Sequence, residues 1–446
     1  MNFLKRFFGG TAYESAKKTD AGRSDPIIIA DGRCELSGLD RLKIISKTRA
    51  LVRNFGFARE QVNAMEIYSV GDGISPQPAT ADASWNSAAL KLWESVFAFS
   101  PELSGRFSFA KLTRLVCRAL DTDGEIFFVK TQVNGLPRLQ VFEAHRISNE
   151  TNTKERLFDG IRFDVVGRPT AYKFILDSGA TADVAAENVI HVFIAERVSD
   201  AHGVPQLQHS INSLADSKDL LAIEKKGVKQ INELTFAITS DKNDLGATSG
   251  DFVFGETAGG GTDPEAMKRA YGGGKIAKLA PGEKLERVNT DRPSATFSGF
   301  LDYTFRDASL GNVPYEFVSD SSKIGGAGVR LVVGRAARVF SRRQQEIIEK
   351  FLTPVWLWFI AWAIKNKRLP EGVEDCFSCD WACPRSVTVD AGREAANDRA
   401  DVQAGLISKR DLFALRGMNY ETEIRQIAKE RELEMSLGLS GDKISS

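Results

Sequence analysis

Three thiols stand close together late in the chain, Cys376-x2-Cys379-x3-Cys383, and they are the first place to look for chemistry. Zinc takes four ligands in a tetrahedron. Here three sulfurs cluster, with Asp375 or Asp380 as the available fourth ligand. Strand alternation would put Cys379 and Cys383 on one face with Trp381 between them, which favours buried free thiols over a structural metal. The four histidines, His145, His191, His202 and His209, are scattered along the chain and read as structural residues. Gly272-Gly-Gly-Lys275 lacks both the spacing and the following hydroxyl of a phosphate-binding loop, so it reads as a turn. There is no G-x-S-x-G nucleophile elbow and no H-E-x-x-H metal helix. The expectation is a chain that is not an enzyme and holds no cofactor and no resident metal.

Charge gives the next candidates. Arg330, Arg335, Arg338, Arg342 and Arg343 crowd one stretch, and helical spacing places Arg335, Arg338 and Arg342 on a shared face. They suit a solvated face paired with Glu346 and Glu349, a salt-bridge strip between subunits, or a band facing DNA. Over the whole chain of 446 residues, 59 basic residues balance 59 acidic ones. A tight DNA binder usually carries a basic excess, because phosphate neutralisation supplies most non-specific affinity. Neutrality argues against a tight DNA binder.

The five cysteines are an odd, sparse set for this length, which points to a reducing cytoplasm. The opening MNFLKRFFGG has Lys5 and Arg6 but no apolar core of a secretory signal. The run Phe351 to Ile364, FLTPVWLWFIAWAI, falls short of the roughly 20 residues that span a bilayer, and Pro354 interrupts it. It is expected to be a buried helix or a subunit contact, with no membrane partner.

These residues need elements to position them, and the pattern predicts a mixed α+β chain. Residues 1–25 are polar and read as a tail. Helical spacing covers about 36–65, 83–98 and 106–120. From 124 to 195 short alternating segments are split by turns, Asn134-Gly135 and Gly167-Arg-Pro169 among them, which predicts a mostly antiparallel sheet. After Gly203-Val204-Pro205 a long helix is expected through about Leu234, with Pro205 in its first turn and Leu207, Ile211, Leu214, Leu221 and Val228 on one stripe. Residues 239–274 are rich in Gly, Asp and Thr and read as a loop, followed by a hairpin pattern turning at Pro281-Gly282. A helix at about 294–310 carries Phe297, Phe300, Leu301, Phe305 and Leu310. The segment 312–328 reads as a mobile connection. A long helix is expected from about 329 to 350, and short helices over 391–436 broken at Gly405 and Gly417.

The order of several weak motifs resembles the lambda-type portal proteins of tailed phages. RALVRNFGFAREQV (49–62), DGEIFF (123–128), GIRFDVVGRPTAYKF (160–174), ERVSDAHGVPQL (196–207), APGEKLERVNTDRP (280–293), FRDASLGNVPYEFVSD (305–320) and WACPRSVTVDAGREAANDRADVQAGLISKRDLFALRGMNYE (381–421) follow that family's sequence of features. There are departures. His202 stands where Arg is usual. Ile324-Gly-Gly-Ala-Gly-Val-Arg330 replaces Tyr-Ser-Ser-Ala-Arg, and Asp390-Ala-Gly-Arg-Glu394 replaces Asp-Pro-x-Lys-Glu.

The resemblance implies an elongated α+β subunit that assembles as a homo-dodecameric ring. It implies a wing from 26–203, completed by the long helix and the rest of the wing at 329–375. It implies stem helices at 204–233 and 294–311, a small α/β clip at 234–293, a channel loop at 312–328 and a helical crown at 376–446. The channel loop would present Val318, Ser319, Asp320, Ser321, Ser322 and Lys323. Asp302, Arg306 and Asp307 would face the lumen. Phe297, Phe300, Leu301 and Leu207, with Arg335, Arg338 and Arg342, would meet neighbouring subunits. Lys275, Lys278 and Lys284 would belong to the clip.

Implied partners are copies of the chain, double-stranded viral DNA, the large terminase subunit, a head–tail adaptor, and the major capsid and scaffolding proteins. The implied place is one vertex of a virion, after assembly in the host cytoplasm. Two rivals accompany this reading: another head–tail connector or baseplate component, and a zinc-dependent nucleic-acid enzyme built on the three late cysteines.

Overall fold

The computed structural model describes residues 31–233, 237–240, 283–286, 295–320, 322, 324–389, 391–416, 418 and 420–437. The chain divides into two compact units, one formed by Met1–Ile211 with Ala308–Ser446, the other by Asn212–Asp307.

In the first unit, α1 (Gly32–Glu35) is capped by Asp31, and α2 (Gly38–Asn54) by Ser37, whose hydroxyl accepts from the Asp40 N–H. The helical pattern expected over 36–65 is broken at Phe55. That residue is extended (φ −131°, ψ 117°), and α3 (Gly56–Ser69) starts afresh after it. Strand β1 (Ser75–Pro78) leads to α4 (Ala83–Trp93), which continues as a π turn through Ala98, and then to α5 (Phe109–Thr122).

The β region is antiparallel throughout its named pairs, as its turns predict. Strands β2 (Glu125–Val133) and β3 (Leu136–Glu143) form a hairpin in which Asn134 and Gly135 have φ of 52° and 75°. A tight two-residue turn needs such positive values. Strands β4 (Leu157–Phe158), β5 (Ile161–Phe163), β6 (Pro169–Ile175) and β7 (Thr181–Ala185) make a second sheet in that order. Strand β8 (Val189–Phe193) returns to the free edge of β2. Phe127, Phe142, Ile147, Ile161, Tyr172 and Phe174 form a small core in this β region.

The second unit holds most of α6 (Ile211–Glu233), the antiparallel pair β9 (Ala237–Ser240) with β10 (Glu283–Glu286), and α7 (Ala295–Ala308) up to Asp307. The helix expected to begin at Pro205 starts six residues later. Pro205 lies in a turn whose carbonyl accepts from the Gln208 N–H at 2.8 Å, and a 3-10 turn (Gln208–Ser210) precedes α6. Lys284 falls on β10. Residues 1–25, Lys275, Lys278 and the Pro281-Gly282 turn lie outside the described residues.

The chain then returns to the first unit with α8 (Tyr315–Val318) and α9 (Gly326–Ile347), a π turn (Ile348–Leu352) and α10 (Thr353–Lys365). The helix expected to stop near 350 thus runs on to Lys365. Pro354 has no N–H for the carbonyl four residues back, at Lys350, and the helix widens into its π turn there instead of ending.

Length and composition would let Gly326–Lys365 cross a membrane, but its apolar run is the centre of the main core. Phe351, Leu352, Val355, Trp356, Phe359 and Ile360 are fully buried. Trp93 packs on Phe97, Phe109, Trp356 and Phe359 with ring centroids 4.8–5.5 Å apart. Each such side chain removed from water contributes about 2 kcal/mol. Strand β11 (Cys379–Ala382) pairs with β1, and α11 (Ala391–Gln403), α12 (Lys409–Leu415) and α13 (Tyr420–Ser436) complete the chain.

Candidate functional site

The segment 312–328, expected as one pliable loop, is held along its first half. Gln61 on α3 donates its Nε2 to Ser309 Oγ and to the Val313 carbonyl, both at 3.1 Å. Asn312, Val313, Pro314 and Tyr315 are buried, and the Tyr315 ring meets Phe57 at 6.0 Å. Val318 belongs to α8 and packs partly on the main core, so it is not a loop residue. Phe317 sits between Tyr68 (5.0 Å) and Phe340 (5.5 Å).

Between α8 and α9 the described residues outside helices are therefore Ser319, Asp320, Ser322, Ile324 and Gly325. Apolar side chains at 313, 315 and 317 had a core within reach, and burial outweighs the freedom that the surrounding small residues allow. Ser319 is exposed, and Asp320 Oδ1 accepts from the Ser322 N–H at 2.9 Å and its hydroxyl at 2.6 Å, a compact turn. Ser321 and Lys323 lie outside the described residues.

On α7 the helical period separates two faces. Leu301 is buried and Phe297 is half-buried, on one side. Phe300 (55% exposed) and Tyr303 (71%) look out to solvent on the other, among Asp302, Arg306 and Asp307. Asp307 Oδ2 lies 3.5 Å from the Ser213 hydroxyl of α6. On α6, Leu214 is buried and Ile223 is 63% exposed. Leu207, expected at a subunit contact, is 1% exposed within its own chain. It precedes α6, where the late start of the helix takes it off the predicted stripe.

Arg335, Arg338 and Arg342 are all exposed on α9, as their spacing implies. Arg343, one position on, turns inward. Its Nη2 donates to Asp121 Oδ1 at 2.7 Å and its Nη1 to the Cys117 carbonyl at 3.1 Å. Burial pushes the Asp121 carboxyl up while Arg343 pulls it down, and burial pushes the Cys117 thiol up to about 12. Arginine keeps its proton under all such conditions, so the pair is an ionic link between α5 and α9.

The late cysteines are free thiols packed against the main core. Burial pushes Cys379 up to about 12 and Cys383 up to about 11, so neither thiol is activated as a nucleophile. Among the described residues, the group close enough to share an ion is Glu125, His191 and His202, which the sequence had scattered. Glu125 already receives the Arg41 guanidinium (3.1 Å), His191 Nε2 (3.0 Å), His202 Nδ1 (3.0 Å) and the Gly203 N–H (3.1 Å). Four donor groups exhaust a carboxylate's lone pairs, so the cluster reads as a charge network.

Burial works to raise the Glu125 carboxyl, but the pull of His202 and the hydrogen bonds from both histidines hold it well below the usual range. His191 is held below its ordinary value by burial, against Glu125. The only trace of this network in the sequence is polar residues at core positions of β strands, Glu125 and His191. Nothing in their spacing joins them to His202 or Arg41.

The geometry therefore offers exposed aromatics on α7, a buried base at Asn312–Tyr315, and no catalytic constellation among the described residues. Comparison with known proteins agrees. The chain is similar to chains of a gene transfer agent (GTA) particle: one in the neck of an empty particle computed with C6 symmetry (14% identity, 85% of this chain and 94% of the other, TM-score 0.55). A second lies in the neck of the native particle computed with C12 symmetry (14% identity, 87% and 96%, TM-score 0.52), and a third in the virion of the native particle (14%, 85% and 93%, TM-score 0.50). At this identity the likeness is one of fold. Residues 36–344, well over half of the sequence, match the family described as phage portal protein, lambda family, and the chain belongs to that family of structural, non-enzymatic virion proteins.

Proposed function

We propose that copies of this chain form a dodecameric ring at one capsid vertex, through which genome DNA is packaged and ejected. The supporting observation is the outward face of α7, where Phe300 and Tyr303 stand in water three residues apart. Large exposed aromatics on a helix mark a contact surface, and a second copy of the same helix offers the complementary apolar area. The family match over residues 36–344 supports that partner. Asp302 and Asp307 sit beside the aromatics, and carboxylates on a channel wall would keep DNA phosphates from adhering. The segment between α8 and α9 would touch DNA. Lys284, with the segment around Lys275 and Lys278, would meet the large terminase subunit during filling and a head–tail adaptor afterwards.

Electron microscopy of the purified full-length chain, with mass measurement of the particle, tests this reading. An annular particle of twelve copies with a central hole is the expected result. A chain that stays monomeric at every concentration would overturn it.

A further inference from the structure

Five buried groups from separate stretches of the chain meet at one point. They are Arg41 on α2, Glu125 on β2, Asp159 after β4, His191 on β8, and His202 in the strap Glu196–Leu207 that leads to α6. Their side chains are 0–7% exposed. Arg41 Nε reaches Asp159 Oδ2 at 2.6 Å and its Nη1 reaches Glu125 at 3.1 Å. With both imidazoles neutral, one guanidinium faces two carboxylates and a negative charge is left uncompensated. Buried charge without a partner is strongly unfavourable.

Hydrogen-bond directions show where the missing proton sits. His202 Nε2 faces the Asp159 carbonyl at 2.9 Å and Asp159 Oδ2 at 3.4 Å, while its Nδ1 faces both Glu125 oxygens at 3.0 Å. All of these are acceptors. Both ring nitrogens must donate, and only an imidazolium does so. His191 differs. It has one oxygen partner, Glu125 Oε2 at Nε2, and its ring stacks between Phe127 and Phe193 with centroids 4.3 Å away on each side. A neutral ring carrying its hydrogen on Nε2 satisfies that site.

We propose that the cluster is a proton-loaded clasp, in which one proton held on His202 between Glu125 and Asp159 locks the strap onto the β2–β8 sheet. Departure of that proton leaves a lone pair facing a carboxylate, and the strap opens as pH rises. Gly203 makes the closure tight. Its N–H donates to Glu125, and a Cβ there would lie 2.1 Å from the Gly124 carbonyl oxygen.

A cavity of about 250 Å³ reaches His202, lined also by Arg33, Glu35, Glu196, Arg197 and Asp200. Of these, Arg33 pairs with Asp31, Arg197 with Glu35, and Asp200 accepts from the backbone N–H groups of Glu196 and Arg197. Tyr172, the other titratable group near Glu125, is kept un-ionised by burial. The cavity gives the proton a path to solvent.

The test uses the full-length assembled protein with ¹⁵N-labelled histidine, sedimented for solid-state NMR, with His202→Gln and His191→Gln variants assigning the signals. At neutral pH the expected spectrum has a doubly protonated ring at His202 and a neutral Nε2–H ring at His191. Amide exchange over residues 196–207, corrected for base catalysis, should accelerate about tenfold or more once the His202 ring signal shows the loss of its second proton. His202→Arg, a fixed cation, should abolish that acceleration. Two neutral rings at neutral pH, or corrected exchange that ignores the loss of the proton, would overturn the clasp. Ring signals that do not change with pH but shift on chelation would also overturn it, in favour of a bound metal.

Discussion

Arg343 shows how one side chain can belong to a surface stripe by its neighbours and to the core by its contacts. Its guanidinium and Asp121 are both buried, and each supplies the other's opposite charge at 2.7 Å. Removing one partner strands the other. Arg343→Ala should cost about 3–5 kcal/mol, read as a lower denaturant midpoint, while Arg343→Met with Asp121→Asn should recover most of it.

The same accounting applies to acid. His191 is held below its ordinary value by burial, so the unfolded chain binds more protons there as pH falls below about 6.5. Its contribution to stability is whole above that value and is lost as pH drops through the lower folded one. Glu125, also depressed, acts with the same sign at still lower pH. The urea midpoint should therefore fall on acidification from neutrality, and fall less in His191→Gln, which keeps a donor for Glu125. Parallel pH curves for the two proteins would show that His191 is not the group responsible.

At the scale of elements, α7 presents two contrasting faces. Leu301 and Ala308 are buried, while Phe300 and Tyr303 remain in water in the single subunit. Phe300→Asp with Tyr303→Asp should leave circular dichroism and the melting temperature of the subunit nearly unchanged, because neither ring is part of its core. The same pair should abolish assembly, which sedimentation velocity would report as loss of the large particle. The joined helix α9–α10 makes a different point. Its π turn accommodates Pro354 without breaking the run, so Pro354→Ala should change stability by about 1 kcal/mol or less while leaving Trp356 and Phe359 buried.

For the whole molecule, the proposed role is the passage of DNA. On α7, Asp307 is exposed and Asp302 half-buried. Asp302→Lys with Asp307→Lys should preserve the ring and lower the amount of DNA packaged per particle, since cations would hold passing phosphates. Normal filling by a well-formed double mutant would remove the carboxylates from the mechanism.

Local and periodic features of this protein are legible along the chain. Asn134-Gly135 dictates its hairpin, alternation dictates the antiparallel strands, and the 351–364 run dictates a buried helix, because each signal is complete within a few residues. The ordered motifs from 49 to 421 were enough for the family. Tertiary structure alone decided what depends on distant partners. It bent the first helical stretch at Phe55, drew Val313, Tyr315 and Phe317 out of an expected loop, and turned Arg343 and Leu207 inward. It also gathered Arg41, Glu125, Asp159, His191 and His202, up to 161 positions apart in sequence, around one carboxylate. Spacing cannot reveal such a meeting, because the energy of a buried charge depends on which groups surround it in space.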